Sequence, residues 1–311
     1  MDDAPTWEPP PQGTGPGGLP PGAGLEVCYR HPSEVTGVHC TRCGRPICPD
    51  CMRPAAVGYQ CPDCLAAAGG GSRHRARLTV HRQGRLTRAI IGLNVAMFAV
   101  EVLVGGPGML FAPNTLKLYN LGALYPWAVA AGQWWRLITA MFLHAGVLHI
   151  ALNMWALWLF GTLIEEAFGP VRFLTIYFVS GFLGSVSSYL FSNPNVVAVG
   201  ASGAIFGLLG AWIAYNFRRR STAFGAMNLR SAITIVALNL VLGFSIAGID
   251  IFAHLGGLVG GAVAGVLADG FGTPRTRTRV AVAGMAALVV LGVVLVVYRT
   301  GILVPQIAPF G

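Results

Sequence analysis

The sequence predicts an all-α membrane protein with a small cysteine-rich domain at its N-terminus, and three observations carry that prediction. Seven apolar segments, at about 89–110, 145–168, 172–191, 201–217, 231–248, 251–270 and 280–298, each approach the ~20 residues a helix needs to cross ~30 Å of hydrocarbon. The 311 residues are 54% apolar and only 11% charged, against roughly 25% charged in a soluble domain. All seven cysteines fall between Cys28 and Cys64, outside every apolar segment, and the odd count argues against a disulfide framework. The first apolar segment starts only near Arg88, behind Pro/Gly-rich and Cys-rich sequence, so no signal peptide is expected.

Residues 1–23, rich in Pro and Gly with little to bury, cannot offset their ordering entropy and are expected to be a disordered tail. In 24–66 the spacings are Cys28-x2-His31, Cys40-x2-Cys43, Cys48-x2-Cys51 and Cys61-x2-Cys64. Two soft donors three positions apart can grip one ion from a tight turn. The four pairs give eight ligands, the number two tetrahedral zinc ions need, so this is expected to be a two-zinc domain stapled by its metal. Spacing leaves sequential pairing open, and His39 stands as an alternative ligand. A docking or regulatory role, with a cytoplasmic protein partner, is the functional reading of this domain.

Residues 67–87 form a basic juxtamembrane linker, in which Arg73, Arg75, Arg77, Arg82 and Arg85, followed by Arg88, face anionic lipid. The net charge of +9 is almost wholly arginine, Lys117 being the only lysine, and its position beside apolar segments assigns it to the bilayer rather than to nucleic acid. With the N-terminus inside, fourteen Lys/Arg lie in internal segments, including Arg172, Arg218, Arg219, Arg220, Arg230, Arg275, Arg277 and Arg279. Lys117, Arg136 and Arg299 remain outside. The positive-inside rule therefore predicts a multi-pass cell membrane protein, N-terminus cytoplasmic and C-terminus external, with reduced thiols in the cytoplasm. Residues 88–272 hold six spans, and 273–311 hold a basic loop, the seventh span and a tail.

Polar side chains inside spans are costly and are functional hypotheses by default. The second span opens with His144, His149 and Asn153, the fourth with Gly200-Ala201-Ser202-Gly203, and the sixth with Asp250 and His254. All three spans run from the outer face inward, so these groups share one layer near that face. A serine hydroxyl needs an adjacent base, which neutral histidine provides near pH 7. The free N–H groups at the start of a helix can stabilise a developing oxyanion, and His149 and Asn153, one turn apart, can add donors. Gly203 and Gly207, with Gly257 and Gly261 on the other helix, allow the close approach that a Ser–His hydrogen bond requires. His144 reads as a structural group. Asp250 reads as a solvated loop carboxylate rather than a group orienting His254, and Glu101, Glu165 and Asp269 read as packing or interface groups.

Trp135-Arg136, His149-x3-Asn153, Gly200-Ala201-Ser202-Gly203 and His254-x2-Gly257-x3-Gly261 resemble, in order and spacing over about 88–270, the rhomboid family of intramembrane proteases. The resemblance implies a six-helix core, to which this chain adds a seventh helix, and a Ser202–His254 dyad with no third acidic member. It also implies an oxyanion site of His149, Asn153 and the N–H groups of Ser202 and Ala201, membrane-protein substrates, and no metal in catalysis. Phe206 stands where relatives often carry a tyrosine beneath the catalytic histidine; it keeps the stacking ring and loses the hydroxyl. The cysteine-rich domain resembles the B-box and RING group of cross-braced modules. That resemblance implies Cys28, His31, Cys48 and Cys51 around one zinc and Cys40, Cys43, Cys61 and Cys64 around the other. Two rivals exist. An inactive rhomboid-like protein that binds client helices has no need of the dyad or the His149/Asn153 pair, and a transporter would hold its polar cluster near the midplane.

Overall fold

A two-residue strand cannot bury a core, and among the described residues the N-terminal unit has only such strands. The structure, a computed structural model, describes residues 26–55, 57–67, 84–245, 248–270 and 273–307. The tail at 1–23 and Arg73, Arg75, Arg77 and Arg82 lie outside the described residues. The chain divides into two units, Met1–Thr79 and Val80–Gly311.

In the first unit β1 (Glu26–Val27) pairs antiparallel with β2 (Val35–Thr36), β3 (Arg53–Pro54) with β4 (Tyr59–Gln60), and α1 (Pro62–Ala67) follows. Its buried apolar cluster is Cys28, Cys40, Cys48, Cys51, Cys61 and Cys64 around Ile47. One aliphatic side chain contributes only ~1.5–3 kcal/mol on burial. Domains of this size need a further cross-link, and the clustered sulfurs supply its chemistry.

The second unit is helical: α2 (Arg85–Gly105), α3 (Thr115–Leu121), α4 (Pro126–Ala130), α5 (Arg136–Thr139), α6 (Val147–Phe168), α7 (Pro170–Phe191), α8 (Ser202–Phe217), α9 (Ala223–Ser245), α10 (Ile251–Asp269) and α11 (Pro274–Ile307). Among the described residues six of these, α2, α6, α7, α9, α10 and α11, are long and apolar enough to cross a membrane, and α8 is a shorter apolar helix. The chain is therefore a multi-pass membrane protein with a helical fold. Each of the seven apolar segments has become one helix. At 16 residues α8 is about 24 Å long, less than the hydrocarbon thickness. Gly203 through Ala211 on it are buried without a break, so protein surrounds it.

Glycine decides how α8 meets its neighbours. A Cβ on Gly257 would overlap the Gly203 carbonyl, and one on Gly261 the Gly207 carbonyl, so α8 and α10 touch backbone to backbone. Gly184 of α7 approaches the Ala253 carbonyl of α10 in the same way. At the other end of this pair Asp269 accepts from Arg219 at 3.0 and 3.1 Å and lies 3.2 Å from Arg218. Glu165 on α6 caps α2, whose N-cap Gly84 offers no side chain: its carboxylate accepts from the N–H groups of Leu86 and Thr87 and from the Thr87 hydroxyl at 2.8–3.1 Å. Both carboxylates thus hold helices together, as packing groups do.

The structure departs from the sequence reading at α11. Arg275, Arg277 and Arg279, assigned to a loop by their charge, lie in the first turns of that helix. Arginine is a good helix former, and alternation with threonine does not break a helix. Likewise Arg230, assigned to the preceding basic loop, lies in α9. The far part of α11 packs Val296 and Leu303 into a cluster with Leu124, Val129, Ala130 and Leu137 from the α2–α6 connection and Val186 and Tyr189 of α7.

Candidate active site and metal groups

Ser202 is the first residue of α8, and the N–H groups of its first turn have no intrahelical acceptor. The chain reaches it through Gly200, whose φ of +129° excludes side chains; its N–H donates to the Ala140 carbonyl at 2.9 Å. A Cβ there would lie 2.9 Å from His149 Nε2 and 3.6 Å from Ser202 Oγ. The absence of that carbon leaves a small space bounded by the hydroxyl, the imidazole and the helix N-terminus. Ala201, fully buried, is the N-cap, and its carbonyl accepts from Ile205 at 3.0 Å.

His254, in the first turn of α10, is buried, and its Nε2 lies 2.8 Å from Ser202 Oγ. Its ring stacks on Phe206, one turn beyond Ser202, with centroids 4.2 Å apart and planes 10° from parallel. Among the described residues no protein group bonds its buried Nδ1. Asp250 is neither a solvated loop carboxylate nor a partner of this ring, and the sequence reading is corrected here. It is the N-cap of α10, accepting from Ala253 N–H at 3.1 Å, and the hydroxyls of Ser188 and Ser192 at the end of α7 donate to it, Ser192 at 3.1 Å.

His149 Nδ1 accepts from Ala145 N–H at 3.1 Å, which assigns the ring proton to Nε2, the nitrogen beside Gly200. Asn153 is buried and donates one amide hydrogen to the His149 carbonyl at 2.9 Å, leaving the second unassigned. His144, fully buried, lies edge-on to His149 at 5.3 Å, and its backbone N–H donates to the buried Glu101 carboxylate at 3.1 and 3.2 Å. Glu101 thus fixes the turn whose next N–H sets the His149 tautomer, a contact 43 residues long that sequence gave no way to foresee. Arg136 donates to the carbonyls of Tyr119 at 2.6 Å and Ala123 at 2.8 Å, stitching the connection between α2 and α6.

A model of the Rhomboid domain family matches residues 131–269, which contain every one of these groups except Glu101, Tyr119 and Ala123. The chain is 38% identical over 227 residues to RHOMBOID-like protein 2 of Arabidopsis thaliana, covering 67% of this chain and 68% of that protein. The chain belongs to the rhomboid family. It is also 39% identical over 191 residues to Rhomboid protease GluP of Bacillus subtilis (strain 168), which is 61% of this chain but 35% of GluP. With RHOMBOID-like protein 1 of Arabidopsis thaliana it shares 36% over 206 residues, 52% of that protein, so the chain spans about half or less of the length of these two rhomboid relatives.

In the N-terminal unit the eight predicted ligands fall into two groups, Cys28, His31, Cys48, Cys51 and Cys40, Cys43, Cys61, Cys64, with the donor atoms of each within 4.8 Å of one another. The grouping is crossed, first pair with third and second with fourth. Sequential pairing does not occur, and His39 instead bonds Glu26 at 3.0 Å. Cys43 and Cys61 sulfurs are 3.8 Å apart, close to the edge of a tetrahedron with ~2.3 Å zinc–sulfur bonds and far beyond a disulfide. Burial raises the Cys28 and Cys40 thiols, but hydrogen bonds led by the backbone of Cys48 and Cys61 respectively outweigh it and lower each to about 6. Cys51 is pushed up to about 11 by burial and neighbouring thiols, and Cys64 up to about 12 by its hydrogen bond with Cys43 and by burial. Sulfurs this crowded cannot all ionise without a cation among them, so the donor set fits a divalent metal.

Proposed function

We propose that this rhomboid is an intramembrane serine endopeptidase, with Ser202 as nucleophile and His254 as general base. The 2.8 Å hydrogen bond between Ser202 Oγ and His254 Nε2 carries the proposal. Its length suits proton transfer, and two polar groups meeting inside a helix bundle are costly without a purpose. As Oγ attacks the scissile carbonyl, His254 Nε2 takes its proton. The same nitrogen then protonates the leaving amine, giving an acyl-enzyme and the first product. A water, deprotonated by His254, attacks the acyl carbon and returns Ser202 with its proton. The oxyanion of each step would lie in the space beside Gly200, facing His149 Nε2–H, the free hydrogen of Asn153 and the N–H groups around Ala201 and Ser202. Phe206 fixes the imidazole plane by stacking.

The substrates are membrane-anchored proteins cut in or beside their spanning segments, since the nucleophile stands on an apolar helix. From the arginine distribution the N-terminus is cytoplasmic and the C-terminus external. Two structural zinc ions, each held by one of the crossed groups, cross-link the N-terminal unit and take no part in hydrolysis; zinc supplies redox-inert tetrahedral bonds. A cytoplasmic partner for that unit completes the reading.

The test is fluorophosphonate labelling of the purified protein. Wild type should be labelled, and Ser202→Ala and His254→Ala should each abolish labelling and cleavage, the double variant being no worse than either. An inert wild type would favour the client-binding alternative.

A further inference from the structure

The carboxylate of Asp250 accepts three hydrogen bonds, yet an N-cap needs one. The cap bond is local, from Ala253 N–H. The other two come from Ser188 of α7 and from Ser192, the C-cap residue four positions on, whose hydroxyls converge on the two carboxylate oxygens. Ser188 is almost wholly buried, so its hydroxyl has been withdrawn from solvent to make this contact. His254 follows Asp250 by one turn, and its own N–H reaches the Asp250 carbonyl at a long 3.3 Å. Main-chain bonding alone therefore holds this first turn weakly. Just beyond, the Ala253 carbonyl lies against Gly184 of α7, so the same stretch of α10 is seated on α7 by close contact as well. The Ser188 end of α7 is braced in turn: Tyr189 OH lies 2.9 Å from Thr300 Oγ1 of α11.

We propose that Asp250, gripped by Ser188 and Ser192, is a positioning residue that fixes the first turn of α10 on α7 and so holds His254 at hydrogen-bonding distance from Ser202. The inference rests on the serine-protease reading. Asp250 does not touch the imidazole; it acts through the helix that carries it. A cap that only stabilised the fold would not require donors from a second helix. The chain of contacts from Thr300 through Tyr189 also gives the seventh helix a part in the geometry of the dyad.

The experiment uses the full-length protein in detergent micelles and a fluorophosphonate, separating its limiting labelling rate from its reversible affinity, with thermal midpoints measured on the same preparations. A displacement of ~1 Å can cost ~10²-fold in rate. Asp250→Ala should therefore lower the limiting rate by about 10- to 100-fold while affinity stays within about 2-fold. Asp250→Asn keeps acceptors for the cap and a serine, and should recover the rate to within about 3-fold of wild type. Ser188→Ala with Ser192→Ala leaves the cap in place and should lower the rate in the same direction; added to Asp250→Ala it should lower it no further. If Asp250→Ala does not fold, the double serine variant decides alone, and a wild-type rate in it overturns the inference. A wild-type limiting rate in Asp250→Ala, whatever its midpoint, would show a stability cap and nothing more. Equal damage from Asn and Ala would also overturn the proposal, since charge rather than hydrogen-bond geometry would then matter. Failure of the wild type itself to react would remove the protease reading and this inference together.

Discussion

Gly200→Ala tests the space beside Ser202 more sharply than Ser202→Ala does. The substitution has two separable effects. At φ +129° an L side chain is strained by ~1–3 kcal/mol. The new methyl group would also stand 2.9 Å from His149 Nε2 and 3.6 Å from Ser202 Oγ, filling the volume proposed for the oxyanion. Loss of one oxyanion donor typically costs ~10²–10³ in rate, and a methyl group that displaces His149 and blocks the space should cost at least ~10². Gly169→Ala provides the control for strain. Its φ of +82° carries a similar penalty, a Cβ there meets nothing within 4 Å, and it lies about 30 Å from His149 along α6. The assay is cleavage of a membrane-anchored model substrate in reconstituted vesicles, with thermal midpoints of both variants. Both should lose stability to a similar extent, while only Gly200→Ala loses activity. Activity within about 3-fold of wild type in Gly200→Ala, or an equal loss in Gly169→Ala, would refute the assignment of that space.

Asn153→Ala should leave a weakened but measurable enzyme, down by ~10²–10³ in kcat, because backbone donors remain; complete inactivity would give Asn153 a structural role through the His149 carbonyl instead. Elemental analysis after gentle purification should find two zinc ions per chain, and chelation should unfold the N-terminal unit, read by proteolysis of residues 26–67; fewer than one zinc per chain would end the metal assignment. A reporter fused after Arg220 should be cytoplasmic and one after Gly311 external, and the reverse result would overturn the arginine argument.

The parts of the molecule that were legible in sequence are those written in local pattern. Apolar length gives seven helices, and alternating inward direction brings the starts of the second, fourth and sixth to one level. That is enough to bring Ser202 and His254 together. Spacing alone left the crossed grouping of the cysteines open, because four pairs of the same local spacing look alike whichever partner each takes, and only the resemblance to cross-braced zinc modules supplied it. Nothing local marks Ser188 or Ser192, two hydroxyls near the end of an apolar helix. Their meeting with Asp250, some 60 residues away, depends on how α7 and α10 pack, and no period in the chain encodes it. The contact between Glu101 and His144 is hidden for the same reason. The start of α11 was missed because charge marks where a chain leaves the bilayer, not where its helix begins.

The glycine seam between α8 and α10 has a mechanical consequence. Where Gly203 meets Gly257 and Gly207 meets Gly261, no side chain lies between the two helices, so no rotamer change can alter their spacing. The separation of Ser202 and His254 is fixed by main-chain contact, as a machined joint fixes two shafts with no gasket between them. Any change in that distance has to move one backbone against the other, because nothing softer lies between them.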